Sequence, residues 1–122
     1  MPRPAKPRSI CEMPKYSVFG PKGVKMNKLN KIELRIDELE SIKLIDYFGY
    51  TQEEAAAQMN VARTTVQRIY NTARQKIAAS LIDGAVIIVE GGEIVLCDED
   101  CEKCLEPLGV IRRNRNSGNN QQ

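Results

Sequence analysis

The sequence of 122 residues contains no histidine, few aromatic residues and no long apolar run. Without histidine, a general base would have to be a carboxylate, and no serine or cysteine has an evident activating partner. The chain is too short for a catalytic barrel. No apolar segment approaches the roughly 20 residues that cross a bilayer, and the basic start lacks the apolar centre of a signal peptide. The sequence therefore predicts a cytoplasmic protein that is not an enzyme and has no membrane partner.

Charge is distributed in blocks, although the net charge is only +2. Residues 1–31 carry eight basic residues against Glu12, and residues 61–84 carry four against Asp83. Residues 109–122 add three arginines and no acidic residue. Each charged block taken alone is explained well enough by a solvent-exposed surface that carries charges of both signs. The outer basic blocks flank a third that lies on a predicted helix, which favours a polyanion as the partner.

Helical periodicity and capping signals predict a first helix that begins near Asp37 and is followed by a second one. Asp37 and Glu40 fit a capping box, and Gly49 is placed to end the first helix. Thr51 and Glu54 fit another capping box, which opens a short, alanine-rich helix.

A third and longer helix is predicted from about Arg63 towards Leu81, with Gly84 at its end. Its apolar residues recur at helical spacing and are expected on one core-facing side: Val66, Ile69, Tyr70, Ala73, Ile77 and Leu81.

Residues 85–97 change to the pattern of β-strands. Two runs of β-branched residues flank Glu90-Gly91-Gly92-Glu93, and glycine adopts the positive φ of a tight hairpin turn. We therefore predict a mainly α fold: a three-helix helix-turn-helix core with a small C-terminal β-hairpin and flexible tails. The expected organisation is a basic N-terminal arm (1–31), a helix-turn-helix domain (32–84), a β-hairpin and cysteine segment (85–108) and a disordered tail (109–122).

The segment QEEAAAQMNVARTTVQRI, residues 52–69, has the features of a helix-turn-helix. Ala56 is the small residue where two helices cross, and Met59 is an apolar anchor before the turn. Asn60 stands where a left-handed conformation is needed, which asparagine tolerates. Val61 fills the corner, and Val66 returns to the core. An ordinary helical hairpin shares some of these features, but it does not account for the polar face of the third helix.

That polar face predicts contacts with DNA. Arginine can bond guanine and glutamine can bond adenine in a bidentate manner, and a threonine methyl can contact thymine. We expect base contacts from Thr64, Thr65 and Gln67, and base or phosphate contacts from Arg63 and Arg68.

Phosphate contacts are predicted outside this face as well. Thr51 and Gln52 begin the second helix and can approach phosphate through backbone amides, although Thr51 is also a plain N-cap. Arg74 is expected to be a backbone contact or a solvated charge. Arg3, Lys6 and Arg8 have two equal interpretations. They form either an arm that follows a groove of the DNA or a tail that only increases solubility.

Several segments together resemble a known family: MPRPAKPR, Ile10-Cys11, Met13-Pro14, the helix-turn-helix and Glu90-Gly91-Gly92. The chain resembles an uncharacterised family of small archaeal and bacterial proteins that are assigned to DNA binding by sequence. Its helical part is similar to region four of primary-type sigma factors. The resemblance covers roughly residues 1–95 and implies a helix-turn-helix protein that binds DNA. Asn60 departs from the glycine most usual at that turn.

Three of the four cysteines lie within the segment CDEDCEKC. Cys97, Cys101 and Cys104 can bind zinc or an iron-sulfur cluster, but a closed site needs a fourth ligand. Cys11 is the remaining thiol, and the arm would have to fold back to bring it there. Intervening acidic residues make gathering thiolates costly. Zinc, an iron-sulfur cluster and thiols without a metal all remain open.

Three hypotheses for function follow. The first is sequence-specific binding of double-stranded DNA by a transcriptional regulator, in the form of a homodimer that reads two half-sites. The second is a sigma-like interaction module that contacts RNA polymerase. The third is a metal or iron-sulfur sensing or carrier protein with a helical scaffold.

Overall fold

The computed structural model describes residues 7–25 and 28–97. A π-helical turn, Lys43–Tyr47, continues the first of three α-helices. The described residues form a mixed α/β fold with five strands, so the prediction of a mainly α fold with a three-helix core is wrong. The elements are β1 (Arg8–Ile10), β2 (Val18–Phe19), β3 (Lys31–Leu34), α1 (Ile36–Ile42), α2 (Gln52–Met59), α3 (Arg63–Asp83), β4 (Val86–Val89) and β5 (Ile94–Leu96).

β4 is the central strand of a three-stranded sheet. It pairs antiparallel with β2 on one side and parallel with β3 on the other. Its sequence VIIV is almost entirely buried, as is typical of a strand that is covered on both faces. Because both edges of β4 are occupied, β5 cannot pair with it. The predicted hairpin of residues 85–97 therefore does not form.

β5 pairs instead with the strand nearest the N-terminus. The pairing with β1 is parallel, with Arg8 opposite Ile94 and Ile10 opposite Leu96. The Arg8 amide donates to the Glu93 carbonyl at 2.8 Å, and the Ile10 side chain is fully buried. Residues 8–10 thus belong to the folded core and not to a flexible tail. The predicted disordered tail, 109–122, lies outside the described residues.

The two glycines between β4 and β5 allow the chain to pass close to the start of α1. Gly91 has φ 78° and Gly92 has φ 108°. A Cβ atom added to Gly92 would lie 2.8 Å from Asp37 Oδ1, closer than such atoms can approach. The Ile36 amide also donates to the Gly91 carbonyl at 3.0 Å. Glycine is needed here for a close tertiary approach, and not for the predicted hairpin turn.

α1 begins one residue before Asp37, because β3 leads into it through Arg35 alone. The Arg35 amide donates to Glu38 Oε1 at 2.9 Å, so the predicted capping box of Asp37 and Glu40 is wrong in register. Asp37 is buried and its Oδ2 lies 3.5 Å from Arg8 Nε. Burial raises the pKa of the Asp37 carboxyl, and the neighbouring Arg35 and Arg8 oppose that rise.

Two clusters of buried residues form the core, and α3 contributes to both. One lies between α1, α3 and the strands, and the other lies between the π-helical turn, α2 and α3. Leu81 is 78% exposed, so its predicted core position is wrong. The buried face of α3 ends at Ala73, and Ile77 beyond it is half-buried. The clusters are Ile10, Leu34, Ile36, Ala73, Ile87 and Val89, and Leu44, Tyr50, Ala55, Ala56, Met59 and Val66.

Glu40 gives a testable pH dependence. Burial raises the pKa of its carboxyl, and the nearby Lys43 ammonium opposes the rise. A raised native pKa contributes stability that is fully present below the unfolded value, here 4.5, and is lost as pH rises through the native value. We therefore expect the stability of Glu40→Gln, relative to wild type, to increase with pH above about 4.5. Urea unfolding between pH 4 and 7 measures this difference.

Glu53→Gln, at an exposed position of α2, provides the matched control for that series. A stability difference between Glu40→Gln and wild type that stays constant with pH, or that falls as pH rises, would contradict the stated effect of burial.

Candidate nucleic-acid interface

α2 begins with the capping box that the sequence predicts. The Glu54 amide donates to Thr51 Oγ1 at 3.1 Å, and the Thr51 amide donates to Glu54 Oε1 at 2.9 Å. Thr51 is exposed and Gln52 is half-buried. Both residues therefore lie at the start of α2, where the sequence predicts phosphate contacts, and the Thr51 hydroxyl is engaged as an N-cap.

A short left-handed corner joins α2 to α3. Asn60 is left-handed, with φ 59° and ψ 45°, and it is the one non-glycine residue with positive φ among the described residues. The Val61 amide donates to the Ala56 carbonyl at 3.0 Å and closes the end of α2. The departure from glycine at this turn is accommodated because asparagine adopts this conformation more readily than most residues.

Small and flexible apolar side chains hold the two helices together. Ala55, Met59 and Val66 are fully buried, and Ala56 is 6% exposed. Alanine at the crossing permits close approach of the helix backbones, and Val66 anchors the first turns of α3 to this cluster. The prediction of Ala56 and Met59 as interior residues of this corner is confirmed.

The opposite face of α3 is polar and open. Arg63, Thr64, Gln67 and Arg68 are exposed, and Thr65 is half-buried. The structure brings three of these predicted residues together with three that sequence reasoning missed. Together they line a shallow depression of about 420 Å³, and we call this set the α3 polar face: Thr64, Gln67, Arg68, Asn71, Thr72 and Gln75.

The three missed residues had a readable signal. From Thr64, steps of three or four residues along a helix reach Gln67, Arg68, Asn71 and Gln75, so these side chains share one side. The region from Arg63 to Ile82 also contains no acidic residue. The polar face thus extends for about three turns from the start of α3, and α3 contributes no acidic residue to it.

Arg74 lies against the π-helical turn. Its Nε is 3.9 Å from Asp46 Oδ2, and its guanidinium lies 5.4 Å from the centre of the Tyr70 ring. The Tyr70 hydroxyl donates to Asp46 Oδ1 at 2.7 Å. Burial and then this hydrogen bond raise the pKa of Tyr70. Arg74 therefore takes part in joining α3 to the turn that follows α1.

Of Arg3, Lys6 and Arg8, the structure describes Arg8 alone. Arg8 is 6% exposed and pairs with the buried Asp37, so its side chain joins β1 to α1. Arg3 and Lys6 lie outside the described residues.

The structure brings the backbones of two cysteines together. Cys11 and Cys97 directly follow the paired parallel strands β1 and β5, and the Cys97 amide donates to the Ile10 carbonyl at 2.9 Å. This fulfils the requirement that the N-terminal segment fold back towards the C-terminal cysteines. Cys101 and Cys104 lie outside the described residues. Within residues 7–25 and 28–97, no three or more histidine, cysteine, aspartate or glutamate side chains are grouped so that they could hold a metal ion. The metal site therefore stays a prediction.

Comparison with known proteins places the chain in a family. A family model described as "Protein of unknown function DUF134" matches residues 1–97. The chain belongs to this family. That range agrees with the extent of the resemblance found in the sequence. No solved structure is significantly similar to the chain.

Relatives named UPF0251 protein come from bacteria and archaea. The one from Desulfitobacterium hafniense (strain Y51) is 48% identical over 118 residues, which cover 97% of this chain and 93% of the relative. One from Thermoanaerobacter pseudethanolicus is 47% identical over 82% of this chain and 85% of its own length. One from Methanococcus vannielii is 37% identical over 96% of this chain and 94% of its own length. These names state no ligand and no activity.

The described part of the chain contains no helix with the length and apolar character that would be needed to cross a bilayer.

Proposed function

We propose that the protein binds double-stranded DNA by inserting the start of α3 into the major groove, and that it acts as a sequence-specific transcriptional regulator. The observation that carries this proposal is the α3 polar face, which follows directly after a helix-turn-helix corner. In such motifs the N-terminal residues of the second helix contact base edges.

The side chains of the α3 polar face carry the donor, acceptor and methyl groups that recognise base edges. Arg68 and Gln67 offer bidentate groups for guanine and adenine, and Thr64 offers a methyl and a hydroxyl. Asn71 and Gln75 extend the same face by two further turns. The apolar side of α3 is occupied by the core, so the polar side remains available to a partner.

The electrostatics also favour DNA. Between Arg63 and Ile82 the helix carries four basic residues and no acidic one, and phosphate attracts such a surface from a distance. The acidic residues of α2 lie in its first turn, at Glu53 and Glu54. Glu54 is engaged with the Thr51 amide, which leaves the start of α3 as the positive end of the motif.

Selection of bound duplexes from a random pool tests the proposal. We expect an enriched sequence, bound with an affinity that falls steeply with added salt, because each phosphate contact releases counterions. Running the selection with and without a chelator also tests whether a metal is required. Capture of RNA polymerase by a folded protein that binds no duplex even at low ionic strength would favour the sigma-like module and overturn DNA binding.

A further inference from the structure

Two cysteines lie side by side where β1 and β5 end. Cys11 directly follows β1 and Cys97 directly follows β5. The parallel register pairs Ile10 with Leu96, so one further step sets the two cysteines opposite each other. The Cys97 amide donates to the Ile10 carbonyl at 2.9 Å, and neighbouring strands lie about 4.8 Å apart. Both cysteines are half-buried, so a small ion can reach this end of the sheet.

The Cys11 sulfur has two contacts that suit a thiolate ligand. Cys11 is disulfide-bonded, so a second cysteine sulfur lies within bonding distance of it. Gln58 Nε2 donates to Cys11 Sγ at 3.0 Å, and Gln58 is only 6% exposed. A hydrogen bond to the charged form of a group favours that form, and partners of this kind orient metal ligands. The Cys11 amide also donates to the Glu40 carboxyl, which fixes the backbone of the ligand.

The sequence supplies two further thiols close behind Cys97. Cys101 and Cys104 lie outside the described residues, and three and then two residues separate the successive cysteines. This is within the spacing of about two to four residues that zinc ligands usually show. The chain has four cysteines and no histidine, so four thiolates are its complete set of soft ligands. The acidic residues between them attract a divalent cation, whose own charge offsets the repulsion among the thiolates.

We propose that the reduced chain binds one zinc ion in a tetrahedral site made of the thiolates of Cys11, Cys97, Cys101 and Cys104. A thiol reductant first supplies the two electrons that convert the disulfide into two thiols, and each of the four thiols releases one proton as it bonds the ion. Zinc–sulfur bonds of about 2.3 Å hold the sulfurs about 3.8 Å apart, which cysteines on adjacent strands can reach. An iron-sulfur cluster also takes four thiolates, but it separates them more widely because each bonds a different iron. The zinc site is independent of DNA binding.

Titration of the full chain with zinc tests the site, after reduction and removal of the reductant without oxygen. We expect one ion per chain. Cobalt, used as a spectroscopic probe, should show the intense visible absorption of a tetrahedral thiolate site. Failure of the reduced chain to bind zinc, or the weak absorption of octahedral cobalt, would overturn the proposal. So would a chain that takes up iron and sulfide in equal amounts and does not exchange them for zinc.

Single variants of the two described cysteines assign the ligands. Cys11→Ser and Cys97→Ser should each lower zinc affinity by at least about 100-fold, because losing a ligand costs more than the roughly 10- to 100-fold loss caused by removing a partner of a ligand. Ser9→Ala is the matched control, since Ser9 is also half-buried and lies in β1. It should bind zinc as wild type does. Wild-type affinity in either cysteine variant would exclude that cysteine and refute the four-thiolate site.

Gln58→Met tests the site with all four cysteines in place. It removes the donor to Cys11 Sγ and keeps an unbranched side chain of similar length at a buried position of α2. We expect zinc affinity to fall about tenfold. The thiolate-to-cobalt charge-transfer band should also move to longer wavelength, because loss of the hydrogen bond raises the energy of the sulfur lone pair. A band and an affinity that both match wild type would show that Cys11 is not a ligand, and this holds even if a serine variant fails to fold.

Discussion

Replacing both Gln67 and Arg68 by alanine is expected to lower the affinity for a selected duplex by about 2 to 6 kcal/mol, or roughly 30-fold or more. Each side chain is exposed on the α3 polar face, and each lost base contact costs about 1 to 3 kcal/mol. The sequence preference should weaken together with the affinity. Fluorescence anisotropy with selected and scrambled duplexes measures both effects.

The control for this pair is Lys22→Ala. Lys22 is exposed in the turn after β2, and its replacement removes one positive charge without touching α3. It should change affinity equally for selected and scrambled duplexes, since an isolated charge carries no sequence information. Unfolding free energies of both variants should stay within about 0.5 kcal/mol of wild type. Equal binding of the double variant and wild type would refute the assignment of these two residues.

Replacing Ala56 by phenylalanine is expected to lower stability by about 1 to 3 kcal/mol or more, because the added ring overfills the crossing of α2 and α3. Ala56 is 6% exposed and packs in the same cluster as Met59 and Val66. For a domain of this size the change corresponds to a fall in Tm of about 5 to 20 °C. Duplex binding should fall as well, since the corner that positions α3 is disrupted. Thermal unfolding followed by circular dichroism measures the first effect.

The neighbouring Ala57 offers a close control, because it lies on the same helix and is exposed. Ala57→Phe should change the unfolding free energy by no more than about 0.5 kcal/mol. If Ala56→Phe melted at the wild-type temperature, or if both variants were equally destabilised, the assignment of Ala56 to the crossing would be wrong.

α2, α3 and the corner between them were predictable because their signals are local. The Thr51 capping box, the left-handed Asn60 and the end of α3 at Gly84 each depend on residues a few positions apart. The core position of Val66 follows from helical periodicity, and that of Met59 follows from its apolar side chain just before the turn. Much of the α3 polar face was predictable by the same rule, since a helix repeats its faces every three to four residues. Asn71, Thr72 and Gln75 lie beyond the first turns of α3, to which the predicted base contacts were confined.

The sheets could not be predicted in the same way. An apolar run such as VIIV indicates a strand, but it does not indicate which strands lie beside it. β1 is separated from β5 by more than eighty residues of sequence, and β2 and β4 by more than sixty. The basic character of the N-terminal segment suggested a solvated arm, whereas the burial of Ile10 and the pairing of Arg8 with Asp37 depend on partners that only the folded chain supplies.

By itself the sequence determined the positions of α2 and α3, the left-handed corner between them and the polar side of α3, because capping, backbone preference and helical period act over one or two turns. The tertiary structure decided that β4 pairs with β2 and β3, that β5 pairs with β1, and that Glu40 is buried beside Lys43. Those outcomes depend on contacts between residues far apart in the chain, whose free energies come from shared burial and from hydrogen bonds that no short segment can make alone.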